Sequence, residues 1–200
     1  MKGYQLKITV KGSKPPVWRR IIVPETATFH QLHEMIQEAF GWSGYHLHEF
    51  EFSKKKLLVR NTQACAGIPE GGCSLLDENE PVRSLIEENP RFVYTYDFKD
   101  RWEHQILFEK EAECEAPQVV KLKGGNFPEN CGGVKAFYEK EMTVSEEDYD
   151  LEAVNRRLAA LAQPEPVPAP KPFFIPPRNP ADPCPCRSGK RYRQCCGRRR

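Results

Sequence analysis

Residues 4–10, YQLKITV, alternate apolar and polar positions with a period of two, and residues 17–23, VWRRIIV, repeat the pattern. Successive side chains on a strand face opposite sides, so each run reads as a strand with one buried face. Lys11-Gly12-Ser13-Lys14-Pro15-Pro16 supplies turn chemistry between them, and the pair reads as a β-hairpin. The period then lengthens to that of a helix. Phe29, Leu32, Met35, Ile36, Ala39 and Phe40 fall on one helical face, Thr28 with Gln31 makes a capping box, and Gly41 ends the helix. HLHEFEF, residues 46–52, is a third strand, and residues 61–81, rich in Gly and acid, read as a loop. A short helix near residues 84–87 follows, then two long strands, RFVYTYDF and WEHQILFEK, joined by a polar turn. A helix near residues 134–142 and another over 151–161, capped by Asp150, close the domain. This order predicts an α+β fold: a β-grasp-like mixed sheet with packed helices.

Composition changes abruptly after that. Between Gln163 and Pro183, nine of twenty-one residues are proline. Proline has no amide donor and a fixed φ, so this stretch is expected to be a semi-rigid polyproline II spacer, advancing about 3.1 Å per residue. The expected organisation is a domain over residues 1–162, a linker over 163–183, and a terminal module over 184–200, CPCRSGKRYRQCCGRRR.

That module carries Cys184, Cys186, Cys195 and Cys196 as C-x-C-x8-C-C around a loop containing Gly189. Two close sulfur pairs joined by a short reversal can close a tetrahedron around one structural Zn²⁺, because soft thiolates suit a four-coordinate d¹⁰ ion. A segment this short buries almost no apolar surface, so metal affinity is its folding energy, on the order of 10–16 kcal/mol for zinc-finger peptides. Two disulfides are the competing reading. Against them, pairing adjacent Cys195 and Cys196 closes a strained ring, and no apolar stretch of signal-peptide type is present. No apolar run approaches a membrane span, so the expected location is the cytoplasm, where thiols stay reduced. The module also holds seven cations: Arg187, Lys190, Arg191, Arg193, Arg198, Arg199 and Arg200. These exceed the formal net charge of +2, so the rest of the chain is acidic. An anionic partner for the tail is the natural expectation.

In the body, His46 and His48 share a face if HLHEF is extended, and Asp97, Asp100 and His104 cluster around the later turn. Converged, these five could form a 2-His-plus-carboxylate metal site or an acid–base pair, which would make the body a metal-dependent hydrolase. The alternative is that the aspartates make turn hydrogen bonds while the histidines pack at a sheet edge. Cys65, Cys73, Cys114 and Cys131 read either as a second zinc site or as four separate thiols. Arg19-Arg20 could touch phosphate or simply guard the sheet against aggregation. Trp42, Trp102 and the Tyr and Phe residues fit core or rim packing. The chain shows no Gly-rich phosphate loop, nucleophile elbow or HExxH motif.

Two stretches resemble known families. CPCRSGKRYRQCCG resembles the SEC-C motif, usually C-P-C-G-S-G-K-K-Y-K-x-C-C/H-G, with Arg187 where the family has Gly. The resemblance implies zinc on the four cysteines and a contact for a protein partner or the ribosome. The motif ends the SecA translocase ATPase and many otherwise unrelated bacterial proteins. KPPVWRRIIVP, FHQLHEMIQEAFGW, HLHEFEF, YTYDFKDRWEH and DLEAVNRRL are similar to the plasmid pRi open-reading-frame-three-like family, whose members carry the label insertion-element passenger TnpR family. That resemblance covers residues 1 to about 161 and implies an α+β domain encoded near mobile elements. It does not imply recombinase chemistry, since no serine-recombinase constellation is present. The family turn D-F-G-D-x-W-x-H has Lys99 here in place of Gly, a cation that would compete with a bound metal. Three functional readings follow: a binding or adapter module, a metal-dependent hydrolase, and a nucleic-acid-associated passenger protein acting through its basic tail.

Overall fold

The hairpin predicted by alternation forms β1 (Lys2–Val10) and β2 (Trp18–Pro24), paired antiparallel. In a computed structural model of the chain, residues 1–161, 191 and 194 are described. The helix follows as α1 (Phe29–Phe40), with Thr28 and Gln31 exchanging both capping-box hydrogen bonds and Gly41 ending it at φ 70°. Its six predicted apolar residues are all buried against the sheet.

The remaining strands are β3 (His48–Phe52), β4 (Leu57–Arg60), β5 (Ser74–Asp77), β6 (Arg91–Tyr96), β7 (Trp102–Glu113) and β8 (Gln118–Lys123). Together with the hairpin they form one eight-stranded mixed sheet in the order β5-β4-β3-β6-β7-β1-β2-β8, parallel at β4–β5 and antiparallel at the other pairs. The sheet is wider than predicted. Residues 61–81 are not only a loop but include β5, and β4 and β8 extend the sheet inward and at its far edge. The long β7 is accommodated against β1 by a register shift between Gln5 and Leu6.

Short α2 (Arg83–Ile86), α3 (Gly133–Glu139) and α4 (Leu151–Leu161) complete the body. Asp150 Oδ1 accepts the Ala153 amide at 2.9 Å, the predicted cap. Helix α4 packs on α1 and on β8. Asn155 of α4 accepts from Val119 N at 2.7 Å and donates to Val119 O at 3.1 Å. Its amide thus occupies backbone groups of β8, which ends the sheet, as a further strand would.

One face of the sheet carries the core: Leu6, Ile8, Ile21, Val23, Phe50, Val59, Tyr94 and Ile106 point toward α1. Gln5, Lys7, Thr9, Trp18, Arg20, Glu49 and Glu51 alternate with them and face the other way, partly exposed. Arg60 is buried where residues 61–73 fold over that second face. Its Nη2 donates to Ile68 O at 2.8 Å and its Nη1 lies 3.5 Å from Glu49 Oε2. No helix among the described residues is long and apolar enough to cross a membrane.

Candidate functional site

The five body residues singled out by sequence do not share one centre. His46 precedes β3 rather than lying in it, so it does not share the strand alternation of His48. Its Nε2 lies 3.0 Å from Asn130 Oδ1 and 3.7 Å from Asp97 Oδ2. Asp97 adopts a left-handed backbone at φ 54°, and its Oδ1 accepts the amides of Lys99 and Asp100 at 3.0 and 3.3 Å. That is turn chemistry, the alternative reading of these aspartates. Asp100 Oδ2 accepts the amide of Gly132 at 2.8 Å, tying this turn to the segment Cys131-Gly132-Gly133. Gly133 explains why that segment is glycine-rich: at φ 80°, a Cβ there would sit 2.2 Å from Asp100 O.

His104 is fully buried, with Nδ1 3.0 Å from Trp102 O and its ring against Phe40, Trp42 and Tyr94. A residue with no exposed surface cannot line a surface depression, so the shared site is corrected to two polar clusters and one core histidine. Among the described residues, no group of three or more His, Cys, Asp or Glu side chains is arranged to hold a metal ion. Cys65, Cys114 and Cys131 are buried and Cys73 is half-buried; all four are free thiols. Burial pushes the thiols of Cys65, Cys114 and Cys131 up from the ordinary range.

The second cluster contains residues that sequence reasoning missed. His48 faces α1 and stacks on His33, with ring centroids 3.5 Å apart and planes 2° from parallel. Its Nε2 lies 2.8 Å from Glu78 Oε2, a close polar contact off the line of a hydrogen bond. Glu78 Oε1 is 3.1 Å from His30 Nδ1 and accepts from Asn61 Nδ2 at 2.9 Å. The Glu78 loop also docks on the start of α1, where its carbonyl takes the His30 amide at 2.8 Å and Glu80 O takes Phe29 N at 3.0 Å. Those are orphan donors of a helix N-terminus, where a carboxylate is favoured. Burial acts to raise the Glu78 carboxyl, but the contact with His48, with Asn61 and His30 beside it, outweighs burial and holds it below the usual range. His33 Nδ1 meets the Tyr94 hydroxyl at 2.7 Å, and Gln37 Nε2 donates to that hydroxyl at 2.8 Å. The hydroxyl proton is then available to a neutral His33.

Burial, with His48 and His30 nearby, pushes His33 down to about 2, and burial pushes His104 down to about 4. Both rings stay neutral in the fold under mild acid, while the unfolded chain takes up protons below an ordinary value of ~6.5. The unfolded state then binds more protons, so stability falls as pH is lowered, by up to ~1.4 kcal/mol per unit for each ring. Urea unfolding between about pH 6.5 and about pH 5 is expected to show that loss, and His33→Gln to remove about half of it. An unchanged slope in the variant would contradict this account. The arrangement ties α1 to the sheet through buried polar contacts.

Comparison with known proteins places these features in context. The family described as plasmid pRiA4b ORF-3-like protein matches residues 2–161, and the SEC-C motif matches residues 181–198. An uncharacterized protein of Sinorhizobium fredii, y4hQ, is 33% identical over 143 residues, spanning 68% of this chain and 69% of the relative. A crystal structure of a protein of unknown function, MM3350 from Methanosarcina mazei Go1, superposes with a TM-score of 0.58 at 38% identity. That match covers 69% of this chain and 78% of the other. Cys184, Cys186, Cys195 and Cys196 fall within the SEC-C match and outside the described residues.

Proposed function

Because the chain belongs to the plasmid pRiA4b ORF-3-like family and carries a SEC-C motif behind that domain, we propose that it is a binding module, presenting a zinc knuckle to a protein or ribonucleoprotein partner. The observation that carries this reading is the C-x-C-x8-C-C array inside the motif match. Cys184, Cys186, Cys195 and Cys196 are four soft donors in two close pairs, the donor set of a structural tetrathiolate zinc site. Four thiolates around one Zn²⁺ offset only part of the seven basic charges, so the folded knuckle stays cationic and suits an anionic surface. The proline-rich residues between domain and knuckle fit a spacer role. The body supplies a sheet whose candidate catalytic side chains are engaged in turn, cap and core contacts.

The test is co-sedimentation with ribosomes, together with affinity capture, comparing the full chain with full-length Cys186→Ser. The proposal expects a partner held by the intact chain and released by the substitution or by chelation of the metal. A set of partners indifferent to both would contradict it.

A further inference from the structure

The pairing registers align a row of cations across the sheet face that the helices leave uncovered. Lys121 pairs with Arg20, Arg20 with Lys7, Lys7 with Leu107, and Leu107 with Arg91, crossing β8, β2, β1, β7 and β6. Adjacent strands lie about 4.8 Å apart, so the row runs roughly 19 Å perpendicular to the strands. The next row on the same face is Lys123, Trp18, Thr9, Gln105 and Val93. Glu109 takes Arg20 through two hydrogen bonds of 2.6 and 2.7 Å. Lys7, Arg91, Lys121 and Lys123 form no ion pair among the described residues.

At the centre of the face lies a concavity of about 380 Å³, lined by Lys7, Thr9, Arg91, Val93, Gln105 and Leu107 among others, with no carboxylate in its wall. Trp18 stands beside it, with Lys7 Nζ 4.9 Å and Arg20 Cζ 5.4 Å from the ring centroid. The chain outside its tail is acidic and Glu109 offsets Arg20, so Lys7, Arg91, Lys121 and Lys123, unpaired among the described residues, form a local excess of positive charge at this part of the face.

We propose that this face binds single-stranded nucleic acid, its phosphates following the row Lys121–Arg20–Lys7–Arg91 and a base resting near Trp18. A line of cations across adjacent strands, interrupted by Leu107 on β7, matches a repeating anion, and the adjacent indole matches an unstacked base; single-strand binders combine these two features. Thr9 and Gln105 offer neutral donors and acceptors to base edges. An acidic peptide would match the cations but supply no π-face to Trp18, and a duplex keeps its bases stacked. The proposed site is built from body residues and uses none of the four tail cysteines.

The tryptophan count makes the test selective. Of the three tryptophans, Trp42 and Trp102 are 6% and 0% exposed, whereas Trp18 is partly exposed. Intrinsic fluorescence of the full chain therefore reports ligand at Trp18, whatever the cationic tail binds. Titration with an oligo(dT) or oligo(U) about a dozen nucleotides long should quench it saturably. The full-length double variant Lys7→Gln/Arg91→Gln should weaken that binding by at least about tenfold. It should also flatten the dependence of log affinity on log salt by about 1.4, at roughly 0.7 per single-strand phosphate contact. Trp18→Phe should abolish the quench. The tail is identical in every variant, so its contribution cancels. Absent quenching, equal affinity in the double variant, equal affinity for a duplex of the same length, or equal competition by polyglutamate would each overturn the proposal.

Discussion

Arg19→Leu is expected to destabilise the body by about 3–5 kcal/mol, whereas Arg20→Leu, one residue away, should cost under about 1 kcal/mol. Arg19 is fully buried on the helix side of the sheet. Its Nε donates to Ala39 O at 3.1 Å, Nη1 to Trp18 O and Lys123 O at 3.0 and 3.1 Å, and Nη2 to Gly125 O and Asn126 Oδ1 at 3.2 and 2.7 Å. The guanidinium lies 5.0 Å from the Phe40 ring centroid and 4.6 Å from that of Tyr149. Carbonyl dipoles and ring faces, with no paired carboxylate among the described residues, compensate its charge. Leucine leaves buried acceptors without a donor, at about 1–3 kcal/mol each before water or relaxation recovers part of the loss. Ala39 O keeps the Tyr149 hydroxyl at 3.0 Å, which limits the damage at that position. Arg20 instead pairs with Glu109 on the exposed face, where salt and solvent screen the interaction. Urea unfolding of the two single variants measures the contrast, and equal losses would contradict the assignment of the two arginines to opposite faces.

This pair also shows what was legible in the sequence. In VWRRIIV, Arg19 shares the parity of Val17, Ile21 and Val23, so alternation alone places it inward. Its charge suggests a surface phosphate contact, and the burial pattern overrules that suggestion. The elements with strong local signals formed as read: the capping box at Thr28 and Gln31, the left-handed end at Gly41, and the alternating hairpin. The missed strands lacked such signals. All four residues of β4 are buried, so it does not alternate; β5 is four residues in a Gly- and acid-rich stretch. Pairing with distant partners, together with the Arg60 contact to Ile68 O, holds that region in place, and no local period records such contacts. The candidate site divided for related reasons. Strand β3 begins at His48, leaving His46 free to turn toward Asn130 and Asp97, and Glu78 reaches His30 across 48 positions of sequence. His30 and His33, on the first turns of α1, were the available hint that α1 meets a polar partner.

The tail is the reverse case, where the sequence motif carries the chemistry. Cys186→Ser removes one of four thiolates, and a tetrahedral zinc site with three sulfurs and an open position loses most of its structural affinity. On the proposed zinc reading, metal binding supplies the knuckle's folding energy, so the loss should be all-or-none at the tail. It should leave the urea unfolding of the body unchanged, since among the described residues the core is built from positions 4–158. The deciding measurement is zinc content per chain, by elemental analysis of purified full-length protein and of Cys186→Ser. The account predicts about one zinc in the intact chain and none in the variant. An intact chain without zinc, or a variant that keeps its full metal content, would contradict it.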